Sequence, residues 1–130
     1  MVVPAQPGLY DAGAALPVLL GTRCGGCGAA SFPPAAIGCE VCGSVDLQAT
    51  TMAAAGTLHT FATVHLHRGA DVKAPFTVAE IVLDDGPVIR ALLTSNDGFA
   101  IGDRVVAEWA AVDVGEAGAE RVEPRFRRAS

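Results

Sequence analysis

The sequence has no apolar run of the roughly 18 to 20 residues that a membrane-spanning helix requires. Its best candidate, residues 12–21, is short and contains Pro17. The N-terminal residues carry no basic segment and are interrupted by Asp11, so no signal peptide is expected. Aromatic residues are scarce, at 5%, with one Trp and one Tyr. Any core must therefore be built mainly from Ala, Val, Leu and Ile. Basic residues are also few. Nine Lys and Arg stand against 14 Asp and Glu, for a net charge of −5 and a pI of about 5.0. That excludes nucleic-acid binding by general basicity. Charged residues make up only 18% and hydrophobic residues 51%, which excludes wholesale disorder. What remains is a chain of 130 residues. It is long enough for one modest core, or for a small module plus a compact barrel, in a protein expected to be soluble and cytoplasmic.

What is present is concentrated. All four cysteines lie between positions 24 and 42. Cys24 and Cys27 enclose two residues, eleven residues follow, and Cys39 and Cys42 enclose two more. Each pair is followed by a glycine, Gly28 and Gly43. Two such knuckles place four thiolates where one tetrahedral ion can hold them, at about 2.3 Å for zinc. The glycines suit tight turns that aim backbone N–H groups at sulfur. Three alternatives compete with zinc. Two disulfides are disfavoured in a chain without an export signal. A thioredoxin-like redox pair needs one knuckle opening a helix after a strand, which two glycine-rich copies do not fit. Iron can also occupy four thiolates, but Phe32 is the only aromatic between the outer cysteines, and little else would surround a redox centre. With four cysteine ligands the site is closed, hence structural rather than catalytic. Four thiolates and one Zn2+ take the protein to about −7.

Residues 1–20 hold Pro4, Pro7 and Pro17 with little periodicity and read as an arm. Beyond about position 47 the pattern turns to strands. Residues 57–67 place Leu58, Ala62, Val64 and Leu66 on one face and His59, Phe61, Thr63, His65 and His67 on the other. A loop follows over 68–75. Further strands are expected over 76–83, 88–94 and 104–114, with turns at Asp84–Pro87 and Ser95–Gly98. A turn at Gly115–Gly118 and a fifth strand over 120–126, ended by Pro124, complete the set. Five strands with one irregular connection before the fourth suit a small Greek-key barrel. The OB-fold is the best-known case, and an SH3-like barrel fits the same pattern.

These residues carry a resemblance. Leu20-Gly-Thr-Arg-Cys24-Gly-Gly-Cys27-Gly28 leads to Phe32-Pro33-Pro34 and to Cys39-Glu-Val-Cys42-Gly43-Ser44. Then come Gly56-Thr57-Leu58, Ala74-Pro75-Phe76, Leu83-Asp84-Asp85-Gly86, Ile101-Gly102-Asp103 and Pro124-Arg125-Phe126. In this order they resemble the acyl-CoA-associated OB-fold family (domain of unknown function thirty-five), over roughly residues 18 to 128. The resemblance implies an all-β chain, a rubredoxin-like zinc ribbon followed by a five-stranded OB-fold barrel. It divides into an arm at 1–20, a ribbon at 21–47, a barrel at 48–126 and a tail at 127–130. It departs from the family at the front, where the helical region that often precedes the ribbon is reduced to the residues of the arm.

The resemblance also implies a non-catalytic subunit in a hetero-oligomer with a thiolase-superfamily protein. That partner would be a thiolase-like acyltransferase or a lipid-transfer-protein-type aldolase of steroid side-chain degradation. A hot-dog-fold hydratase joins some members, and acyl-CoA would sit at a shared site. Candidate interface anchors are Phe32, Pro33, Pro34, Phe76 and Phe126. Arg121, Arg125, Arg127 and Arg128 concentrate positive charge and could meet CoA phosphates, an acidic partner or only solvent. The alternatives are a free-standing acyl-CoA or nucleic-acid binding module and an iron electron carrier. Aromatics interleaved with basic residues, the mark of a single-strand binder, are missing. The three histidines on one strand read as a polar surface or interface face.

Overall fold

The computed structural model describes residues 2–68, 73–114 and 120–129. Among them there is no helix. The strands are β1 (Val2–Pro4), β2 (Val18–Cys24), β3 (Ala30–Ser31), β4 (Leu47–Ala53), β5 (Ala55–Val64), β6 (Phe76–Leu83), β7 (Val88–Leu92), β8 (Arg104–Val114) and β9 (Glu120–Arg128). They form two sheets. A small one has the order β3-β2-β4, and a six-stranded one the order β1-β9-β8-β5-β6-β7. A parallel bridge between Leu93 and Phe126 draws β7 toward β9 and curls the larger sheet into a barrel. The turn expected at Gly115–Gly118 and the middle of the 68–75 loop lie outside the described residues.

Inward positions follow the two-residue period of a strand. Thr77, Ala79, Ile81 and Leu83 of β6 are buried, as are Val105 and Ala107 of β8 and Val122 and Phe126 of β9. The same core takes in Leu19, which faces Met52 across the small sheet, and Tyr10 of the arm. The base of the ribbon is therefore built into the barrel core. β4 runs on into β5 with only Ala54 between them, and Ala54 itself is buried.

Two expectations about β5 and β9 need correction. The strand pairing slips between Leu58 and Thr60. This bulge adds a residue and reverses the parity beyond it. Phe61 then packs on the core, and Thr63 meets Thr77 at 3.0 Å between hydroxyls. Ala62 and Leu66 are exposed, so the apolar face expected over 58–66 does not exist. His65 and His67 lie beyond the strand, which ends at Val64. In β9, Pro124 does not end the strand. Val122 accepts a bond from the Ala5 N–H and Phe126 one from the Thr94 N–H. Even-numbered residues thus turn their backbone away from β8, and the missing N–H of Pro124 falls in a gap between these two bonds.

The arm is ordered against the barrel. β1 pairs in parallel with β9, and Tyr10 stacks on Trp109 with ring centres 5.7 Å apart. The Trp109 indole donates to the Ala14 carbonyl at 2.9 Å. The divisions read from the sequence at 20/21, 47/48 and 126/127 each fall inside a strand: β2, β4 and β9.

Candidate functional site

β2 delivers Cys24 at its end, and the first knuckle follows at once. The N–H of Gly28 bonds the Cys24 carbonyl at 2.9 Å, and that of Gly43 bonds the Cys39 carbonyl at 2.9 Å. Gly28 and Gly43 have φ of 81° and 78°, a region that a side chain disfavours. The two knuckles are therefore copies of one turn. Their four Sγ atoms all lie within 4.8 Å of one another. Cys24 and Cys42 approach to 3.5 Å, and Cys27 and Cys39 to 3.6 Å.

These distances discriminate between chemistries. A disulfide needs about 2.05 Å. Ligands at about 2.3 Å around a tetrahedral ion stand about 3.8 Å apart. The donor set fits one tetrahedral metal. Backbone groups support it: Gly26 and Cys27 N–H point at the Cys24 sulfur at 3.3 and 3.4 Å, and Val41 N–H at the Cys39 sulfur at 3.4 Å. The Cys27 N–H, aided by that of Gly26, holds the Cys24 thiol down at about 6 against its burial. The N–H groups of Cys42 and Val41 lower Cys39 likewise. The Ala29 N–H lowers Cys27, but its contacts with Cys39, Cys42 and Cys24 and its burial outweigh that and push it up to about 12.

Arg23 ties the knuckle to the barrel. It donates to the Gly28 carbonyl at 2.7 Å and approaches Asp85 of the β6–β7 turn at 3.6 Å. Below the ribbon lies a cleft of about 280 Å³. Leu9 and Tyr10 of the arm, Leu19 and Phe32 of the ribbon, Ile89 of β7 and Pro124 of β9 are among the residues that line it.

The other residues singled out in the sequence disperse. Phe32 and Pro33 line the cleft, and Pro34 is exposed beside them. Phe76 is half-buried with its ring 5.0 Å from that of His67. Phe126 is 1% exposed in the core, so it cannot anchor a partner. The arginines do not form one open patch. Arg125 pairs with Glu123 at 3.2 Å, Arg127 with Glu108 at 3.5 Å, and Arg128 with Asp103 at 3.8 Å. Arg121 stands opposite Asp113 in the β8–β9 ladder. Missed by the sequence reading was Thr77, a buried hydroxyl that donates to Asn96 at 2.8 Å. Asn96 in turn holds the Pro75 carbonyl at 3.2 Å.

Residues 11–48 match the family model described as ChsH2, rubredoxin-like zinc ribbon domain. Residues 49–110 match the one described as ChsH2, C-terminal OB-fold domain. The chain belongs to the ChsH2 ribbon-and-barrel family. A solved structure, an Ltp2-ChsH2(DUF35) aldolase, superposes with a TM-score of 0.69 and 27% identity. The match covers 86% of this chain and 85% of that one. No curated protein matches the sequence. Among the described residues, no helix is long and apolar enough to cross a membrane.

Proposed function

We propose that the chain is a non-catalytic accessory subunit of a thiolase-superfamily enzyme, a thiolase-like acyltransferase or a lipid-transfer-protein-type aldolase. It binds that enzyme and helps to form or cover its acyl-CoA site, with steroid side-chain breakdown as the candidate pathway. One observation carries this reading. The likeness to a chain of the Ltp2-ChsH2(DUF35) aldolase runs through ribbon and barrel together, over nearly the whole of both chains. A shared ribbon alone would say little, since such ribbons serve many proteins.

Within this reading, Cys24, Cys27, Cys39 and Cys42 hold a structural zinc. All four positions are protein sulfur, so the ion stiffens the ribbon and does no chemistry. The carboxylates beside Arg125, Arg127 and Arg128 weaken the case for these residues as a phosphate site. Of the anchors named from the sequence, Phe32 and Pro33 line the cleft, where a partner can reach them.

The test uses the full chain and every thiolase-superfamily protein found encoded near it. Size-exclusion chromatography with light scattering is expected to show a hetero-oligomer. Metal analysis is expected to find zinc, with no visible absorption band. Failure to bind any such neighbouring protein, or turnover of a thioester by the isolated chain, overturns the assignment.

A further inference from the structure

The second knuckle carries an apolar surface that the fold leaves uncovered. Ile37, Val41 and Val45 are 89%, 76% and 81% exposed. All three belong to one short turn, because the Cys39 N–H bonds the Ser44 carbonyl at 2.8 Å and Gly38 lies against Gly43 and Ser44. The turn is tied back on itself by the Val41 N–H bond to the Cys39 sulfur at 3.4 Å. Isolated exposed aliphatics are ordinary, but several on one turn mark an interaction site. The knuckle region follows the Cys24–Leu47 end of the β2–β4 ladder, whereas Leu19 and Met52 near its other end enter the barrel core.

The charge around this surface says what covers it. Glu40 and Asp46 flank the aliphatic residues, and both are exposed. Between Arg23 and Arg68 the sequence contains no Lys or Arg. A second copy packed tip to tip would bring like charge to like charge. The complementary surface is an apolar depression rimmed by Lys or Arg.

We propose that the Ile37–Val41–Val45 tip is the docking surface for the thiolase-superfamily partner, and that the partner receives it in an apolar depression with a basic rim. This rests on the accessory-subunit reading and sharpens it by moving the principal contact from Phe32 and the cleft to the second knuckle.

The experiment measures binding of the full chain to a thiolase-superfamily protein found encoded near it, by calorimetry at low and high salt. Val41→Glu, at an exposed position, forces a charged carboxylate into the apolar floor of the depression and is expected to weaken binding at least tenfold. Its metal content and circular dichroism should remain those of the parent. Val88→Glu, at the cleft rim and 56% exposed, is expected to change affinity less than twofold. Ile37→Ser serves as a second, milder probe of the tip. Raising salt should weaken binding of the parent chain. Parent-like binding by Val41→Glu and Ile37→Ser overturns the tip while leaving the accessory role standing. So does a larger loss from Val88→Glu than from Val41→Glu. Self-association of the parent that Val41→Glu abolishes overturns the choice of partner. No binding by the parent chain overturns both readings together.

Discussion

The ribbon and the barrel are held together by different physics. From Gly25 through Asp46 only Cys39 is buried. That stretch has no core of its own: Ala30 and Phe32 lean on the barrel's core, and the sulfurs hold the rest. In the barrel, Leu58, Ile81, Leu83, Val105 and Phe126 are each at most 2% exposed. Burying such side chains contributes about 1.5–3 kcal/mol each. The ribbon module is made instead from backbone N–H groups and four sulfurs placed to hold one ion. The two meet where β4 passes into β5 and where Leu19 and Met52 enter the shared core.

The comparison predicts that each half fails by its own route. Removing the metal with a strong chelator, or substituting Cys39→Ser, is the largest perturbation. A structural zinc contributes on the order of 10–16 kcal/mol to small ribbon peptides. Amides of residues 25–46 will lose their hydrogen-exchange protection, while those of β6 and β8 keep theirs. Uniform protection in both halves after metal removal would show that the ribbon does not depend on the ion. Phe126→Ala attacks the other half. It will cost about 3–5 kcal/mol in denaturant unfolding. Metal release, followed with a chromophoric chelator, will lag behind loss of the barrel signal. Simultaneous loss of both signals would mean that the shared base couples the halves into one unit.

Legibility also differed between the halves. The cysteine spacing announced the four-sulfur cluster because ligand geometry is local: each knuckle is one turn. The strand bounds 76–83 and 104–114 were readable from β-branched runs between strong turn residues, and the structure has the same bounds. The face assignment in β5 was not readable. A bulge at His59 is set by pairing with β6, a contact partner that sequence periodicity does not see. The length of β9 escaped for a similar reason. Whether Pro124 breaks a strand depends on which side of it has a neighbour, and that is decided by β1 and by the Leu93–Phe126 bridge. The exposed aliphatics at the ribbon tip escaped too, because an apolar residue in a sequence carries no label for inside or outside.

A smaller effect sharpens the contrast inside the barrel. Thr77 is its fully buried polar side chain, bonded to Thr63 and Asn96. Thr77→Val keeps the shape and leaves two polar partners without their bond. It will destabilise the barrel by about 1–3 kcal/mol. The loop around Asn96 and the residues near Pro75 will exchange faster, and the metal site will be unaffected. Change confined to thermal stability, with no local exchange difference, would show that this network does not anchor the loop.

The smallest expected effect is a surface one with a defined sign. Asp84, in the β6–β7 turn, takes two bonds from the Arg104 guanidinium, at 2.7 and 2.8 Å. The guanidinium holds the Asp84 carboxyl below its usual value, mainly through these hydrogen bonds. A depressed carboxylate adds stability that is fully present above the unfolded value of about 3.9. That stability is lost as pH falls through the lower folded value. Both partners are about half exposed, so water screens the pair and the gain is modest. Acid also protonates the thiolates, which releases metal and obscures a direct reading. The difference between parent and Asp84→Asn removes that common contribution. The parent will be slightly the more stable at neutral pH, and the two curves will converge only as pH falls below about 3.9. A constant offset across that range would assign the effect to packing rather than to the ion pair.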